Sequence, residues 1–138
     1  METKEASLTV EEAARVAHFR VALRRFDSET EAVARRCGLT PRWYLLLLLI
    51  KGAPDLSERA TVTDLAERLS LAQSSVTELV ARAEQAGLVE REQSGADARV
   101  TFLRLTAEAE RRFADAFRNL ASERRSLREA IANLEDEG

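Results

Sequence analysis

Between Thr61 and Thr106 helix starts, turns and strand signals follow one another with almost no linker, and few architectures fit that spacing. Thr63 is a good N-cap, with Asp64 against the positive end of the helix it opens. Leu65, Ala66 and Leu69 share one narrow face of that helix. Ser70-Leu71-Ala72 reads as a tight turn. A second helix is expected from about Gln73 to Gln85, with Val76, Leu79, Val80 and Ala83 at the i, i+3, i+4, i+7 spacing of one buried face. Leu71 is placed to staple onto Val76 across the helix start. Gly87 follows as a C′ residue, free to take a positive φ. Leu88 to Glu92 then reads as a strand, Gln93 to Asp97 as a turn, and Arg99 to Leu105 as the returning strand. Thr106 caps the next helix, ahead of Glu108 and Glu110.

Helix, tight turn, helix and polar hairpin in that order describe a winged helix-turn-helix, whose second helix has the size and shape to enter a DNA major groove. The face of that helix opposite its apolar stripe carries Gln73, Ser74, Thr77, Glu78, Ala81 and Arg82, with Ser75 at the boundary. Short hydroxyl and amide side chains there suit base edges and phosphates. The hairpin tip brings Asp97 and Arg99 together. An arginine on such a wing reaches a narrow minor groove, where negative potential is highest. An acidic neighbour holds it extended through a charge-assisted hydrogen bond.

Several short motifs, weak singly, are specific in their order and spacing. They are Gly38-Leu39-Thr40-Pro41, Tyr44-Leu45-Leu46-Leu47, Thr63-Asp64-Leu65-Ala66-Glu67-Arg68-Leu69, Ala86-Gly87-Leu88-Val89-Glu90-Arg91, Asp97-Ala98-Arg99 and Leu105-Thr106. Together they resemble the MarR family of bacterial transcription regulators, over roughly Phe19 to Leu120. The resemblance implies a winged-helix dimer that binds pseudo-palindromic operators, usually as a repressor. It also implies that Asp97 and Arg99 match the family's wing-tip Asp-x-Arg pair, and that Gln73 to Arg82 is the recognition helix. Two positions depart from the pattern. Many members carry a basic residue where this chain has Glu78, and often a second arginine where it has Ala98. Glu78 suits two roles, accepting from a cytosine amino group or pairing with Arg82 at i+4 without specific consequence. The second is favoured.

The expected fold class is mainly α with a small β-hairpin wing, the winged helix-turn-helix being flanked by N- and C-terminal dimerisation helices. The 138 residues fit one domain, with dimerisation helices over 9–37 and 106–136 and a winged-helix core over 40–105. Charge does not support the DNA reading. The net charge is −3, and from Thr63 to Leu105 five arginines stand against seven carboxylates. Geometry and motif carry it instead. Leu45 to Ile50 is apolar but far shorter than the ~20 residues that span a bilayer. Met1-Glu2-Thr3-Lys4-Glu5 is no signal peptide. The lone Cys37 offers no disulfide within the chain. A cytoplasmic protein without membrane contact is therefore expected.

Outside the core, Val16, Phe19, Leu23 and Phe26 recur along a helical pattern from Thr9 to Arg36, which Asp27-Ser28-Glu29 divides in two if it acts as a new cap. Thr40 caps the next helix, with Pro41 at its first position. Ala109, Phe113, Phe117, Leu120, Leu127, Ile131 and Leu134 keep a three-four spacing, with a break expected at Ala121-Ser122 and Ser122 as the cap. So small a winged helix cannot cover these stripes, and a second copy of the chain is the simplest cover. Phe19, Leu23, Phe113, Phe117, Leu127 and Ile131 are thus the expected dimer residues. Two-fold symmetry then presents two recognition helices about 34 Å apart, one turn of DNA.

His18 is the only histidine, with no ligand constellation around it, so no metal and no cofactor is expected. His18, Trp43 and Tyr44 are the candidate lining of a pocket for a small aromatic effector, although ordinary core packing is the better account of Tyr44. Cys37 reads as an inert thiol. Nothing resembles a nucleophile-base pair or a phosphate-cradling glycine loop, so no enzyme is expected. The reading is a homodimeric, sequence-specific double-stranded DNA-binding regulator. Residues Gln73, Ser74, Ser75, Thr77, Glu78 and Arg82 would face the major groove, and Arg99 with Asp97 the minor. Two alternatives stand beside it, a winged-helix protein-interaction module without DNA binding and a redox-responsive regulator switched through Cys37.

Overall fold

Thr40 begins the helical scaffold as the spacing suggests. Its backbone is extended, its side chain accepts from the Trp43 amide, and Pro41 occupies the first turn, where a missing N–H costs nothing. In the computed structural model, which describes residues 7–97 and 99–135, eight elements follow in order. They are α1 (Val10–Arg36), α2 (Pro41–Lys51), α3 (Val62–Leu69), α4 (Gln73–Gln85), β1 (Val89–Gln93), β2 (Thr101–Leu105), α5 (Ala107–Asn119) and α6 (Ala121–Glu135). A mainly helical chain with one antiparallel hairpin is the architecture expected from the sequence.

The described residues divide into two compact units, one within 34–117 and the other from 7–33 with 118–135. The first unit holds the winged helix. Its core is Leu46, Leu47 and Ile50 from α2, Leu65 from α3, Val76 and Val80 from α4, and Leu88, Val89 and Leu103 around the hairpin, all buried. Tyr44 stacks on Phe113 with ring centroids 5.2 Å apart. The hairpin pairs Val89 with Leu105 through to Gln93 with Thr101. Ala60 adds a bridge on the far side of Leu103, its amide donating to the Leu103 carbonyl at 3.1 Å and its carbonyl accepting from the Leu103 amide at 2.8 Å. That third segment ties the loop before α3 to the wing.

Four boundaries differ from expectation. The cap of α3 is Thr61, not Thr63. Thr61 and Asp64 form a reciprocal capping box, which satisfies two amides at once, and Thr63 lies inside the first turn. α1 runs unbroken through Asp27-Ser28-Glu29. No proline or glycine interrupts it there, and the Thr30 hydroxyl donates back to the Phe26 carbonyl at 2.7 Å, inside the helical ladder. Ser122 is not a cap, because α6 already begins at Ala121 and the Ser122 hydroxyl donates sideways to Glu123. β2 begins at Thr101, so Arg99 and Val100 belong to the hairpin tip. At the other end of α4, Gly87 sits at φ +77 as a C′ glycine should.

In the second unit, Leu120 and Ala130 are buried, while Phe19, Leu23, Phe26 and Leu127 are half-buried. Val16 and Val21 remain 51% and 50% exposed, and Ile131 40%. Among the described residues no helix is long and apolar enough to cross a membrane.

Candidate nucleic-acid interface

The α3–α4 pair owes its angle to a short, strained corner. Ser70 ends α3 at φ 56, a left-handed conformation, and the Leu71 amide returns to the Ala66 carbonyl at 3.0 Å. Two residues later α4 starts. The corner is held from inside by Val76, Val80 and Ala83, each fully buried, with Leu79 half-buried beside them. At about 100° per residue, that stripe turns Ser74, Thr77, Glu78, Ala81 and Arg82 outward. All five are exposed, as are Gln73 and Ser75. The expected recognition face is thus one continuous surface on one helix.

Its first turn has a property that the sequence reading missed. The N-cap of α4 is Ala72, which makes no side-chain cap. The Val76 amide already bonds to the Ala72 carbonyl. The amides of the first turn, at the positive end of the helix dipole, therefore lack the partner that a serine or aspartate would supply, and such a helix start suits a phosphate oxygen. The signal was present in the sequence as an alanine where a capping residue is usual. Gln73 is held across the corner, its amide nitrogen donating to the Thr63 hydroxyl at 2.9 Å. That contact adds Thr63 to the residues that set this surface.

At the wing, Asp97 Oδ1 accepts from the Arg99 backbone amide at 3.0 Å and from its Nε at 3.3 Å. The Arg99 side chain is 91% exposed, so its only anchor among these contacts is the neighbouring carboxylate, and the guanidinium projects from the tip. Ala98, between them, lies outside the described residues.

The base of the wing is clamped by residues without a local sequence signature. The Arg59 guanidinium lies 4.1 Å from the centroid of the Phe102 ring and 3.6 Å from Glu92, which also takes Arg104 at 3.1 Å. Lys51 Nζ bonds to Glu58 at 2.7 Å and to Glu110 at 3.0 Å, joining α2, the loop before α3 and α5. Those two carboxylates push the lysine pKa up, Glu58 first, and the lysine pulls that of Glu58 down.

The electrostatics follow from these pairs. Arg82 meets Glu78 at 3.3 Å, Arg91 meets Glu84 at 3.0 Å, Arg99 meets Asp97 and Arg104 meets Glu92. The i+4 pairing of Glu78 with Arg82 is therefore present. Both members are about 70% exposed, so the pair contributes roughly 0.3–0.5 kcal/mol and is easily exchanged.

The other candidates lie elsewhere. Tyr44 and Phe113 are buried against each other, which commits both rings to the core of the winged-helix unit. Trp43, half-buried, stands on the first turn of α2. His18 is exposed and lines a groove of about 380 Å³ in the other unit, with Phe26, Arg25, Ser126 and Glu129. Among the described residues no group of histidine, cysteine and carboxylate side chains could hold a metal. Cys37 Sγ lies 3.7 Å from Asp115 Oδ2. Burial first, and then the Asp115 charge, raise the thiol pKa above its ordinary value. A thiol held protonated is a poor nucleophile, which speaks against Cys37 as a redox switch.

Comparison with known proteins places this geometry. Residues 38–100 match the family model described as MarR family. A solved structure of a mutant of MarR from E. coli, complexed with operator DNA, shares 19% identity and a TM-score of 0.67, covering 84% of each chain. AbsC from Streptomyces coelicolor, a MarR family transcriptional regulator, is 25% identical over 93% of this chain and 83% of its own, with a TM-score of 0.61. A MepR mutant from S. aureus, bound to an oligodeoxyribonucleotide, is 16% identical over 80% and 79% of the two chains, with a TM-score of 0.65. Likeness at 19% and 16% identity is likeness of fold. No curated protein matches the chain in sequence.

Proposed function

We propose, from the match of residues 38–100 to the MarR family model, that the chain is a member of that family and a sequence-specific double-stranded DNA-binding transcription regulator. It acts as a homodimer on a pseudo-palindromic operator, as a repressor. The observation that carries the reading is the outward face of α4. Seven successive surface positions there, Gln73 to Ser75, Thr77, Glu78, Ala81 and Arg82, are exposed, mostly short and polar, and begin at an uncapped helix start. The Asp97–Arg99 tip supports it with a pre-extended arginine. Proteins of the same fold have been solved with operator DNA or an oligodeoxyribonucleotide, which supports a DNA partner.

The dimer is supported by apolar surface. Val16, Val21 and Ile131 in one unit, and Phe117 in the other, are each at least 39% exposed, and large apolar side chains left open to water favour a partner surface. A small aromatic effector acting at His18 or Trp43 belongs to the same proposal, and titration with simple phenolic acids while operator affinity is followed tests it. The central test is selection from a random duplex pool, followed by fluorescence anisotropy on the enriched duplex. A salt-dependent affinity at least a thousandfold above that for unrelated duplex supports the reading. Equal, weak affinity for every duplex favours the second reading, a protein-interaction module, for which the paired arginines and the local excess of carboxylates speak.

A further inference from the structure

We infer that Glu78 reads a base, accepting a hydrogen bond from a cytosine N4 amino group and so fixing a cytosine in each half-site. This rests on the DNA-binding reading and gives it a substrate preference. The buried stripe of α4 is Val76, Val80 and Ala83. At about 100° per residue, the direction opposite that stripe falls between Ser74 and Glu78, each within about 30° of it. Glu78 is therefore at the centre of the outward face and not on its rim. A helix that enters the major groove by this face brings the Glu78 carboxylate to the floor of the groove, among base edges.

That placement restricts the sequence. An ionised carboxylate only accepts hydrogen bonds. The groove floor offers acceptors at guanine N7 and O6, at adenine N7 and at thymine O4, and donors only at cytosine N4 and adenine N6. A carboxylate facing an acceptor loses its water and gains repulsion. Adenine is the poorer of the two donors, because its N7 lone pair lies beside N6 and meets the second carboxylate oxygen. Cytosine presents its amino group beside a C–H. Ser74, one turn earlier, has a hydroxyl that can donate or accept and imposes no such choice. Arg82, one turn later, lies 3.3 Å from Glu78 Oε2 and is 71% exposed. It keeps a positive charge against the carboxylate and lowers the cost of carrying that carboxylate between phosphates. The pair thus works as a unit whose negative end chooses the base.

The test is parallel selection from random duplex DNA with the full-length parent, Glu78→Gln and Glu78→Ala, each checked for folding by circular dichroism. The parent is expected to enrich one cytosine per half-site, at symmetric positions. Glu78→Gln should move that position toward adenine, whose N6 and N7 a glutamine amide meets together. Glu78→Ala should leave it unselective, with preference for cytosine falling about tenfold to a hundredfold. If both variants enrich the parent's sequence and bind every duplex more tightly by the same factor, Glu78 acts through bulk charge alone and the inference is overturned. If the parent enriches a sequence without that symmetric cytosine, the inference falls while the DNA-binding reading stands. If the folded parent enriches nothing, both fall.

Discussion

Arg99→Ala separates the wing's role in binding from any role in folding. In the free protein the side chain is 91% exposed, and among the described residues it bonds to its neighbour Asp97 at 3.3 Å. A pair so exposed is screened by water and salt, so its loss should cost the fold roughly 0–0.5 kcal/mol, within the error of a thermal melt. In the complex the same side chain supplies a groove contact of about 1–3 kcal/mol. A dimer places two wings, so the loss doubles to about 2–6 kcal/mol, a weakening of about thirtyfold at the lower end. Asp97→Ala should do less, since that residue orients the arginine and its removal also deletes a negative charge near DNA. The assay is fluorescence anisotropy on the selected duplex at several salt concentrations, beside a melt by circular dichroism. A flatter salt dependence in Arg99→Ala would place the guanidinium on phosphate, and an unchanged slope with weaker binding would place it on a base edge. Unchanged affinity with an unchanged melt refutes the wing's part in the mechanism.

Three further outcomes follow from the same geometry. Val76→Asp should unfold the protein, because Val76 is fully buried and the new carboxylate would have no partner, whereas Ser74→Ala and Thr77→Ala should alter DNA affinity with the melt intact. A stable Val76→Asp by circular dichroism would mean the buried face of α4 is misassigned. Asp115→Asn removes a charge that raises the Cys37 pKa, so iodoacetamide should alkylate Cys37 faster in this variant between pH 7 and 8, and an unchanged rate would show that burial alone sets the thiol. Light scattering should find a dimer at micromolar concentration, and removal of the residues after Leu120 should abolish it; a clean monomer of the full chain would remove the palindromic-operator model.

Much of the winged helix was legible because its signals are local. The Thr40-Pro41 start, the span of α4 and the Gly87 stop depend on neighbours in sequence, and the structure keeps all three. The errors arise where two local signals compete. Thr61 and Thr63 are both plausible caps, and the choice was settled by a spacing of three to Asp64, which permits a reciprocal bond. Asp27-Ser28 resembles a cap, but a helix without proline or glycine continues when its polar side chains reach solvent or its own carbonyls. The clamp of Arg59 on Phe102 and Glu92 joins residues 33 and more positions apart and has no local signature. The pairing of Glu78 with Arg82 was readable from i+4 spacing, and its place on the outward face from the apolar stripe opposite, which the burial of Val76, Val80 and Ala83 matches.

Hydroxyl-radical and methylation footprinting of the full-length protein on its selected duplex tests the central claim most directly. α4 in the major groove of a two-fold complex predicts two protected major-groove patches related by symmetry, about 10 base pairs apart, with backbone protection where each wing reaches the adjacent minor groove. A single unpaired patch, or protection spread evenly without sequence register, would contradict the account.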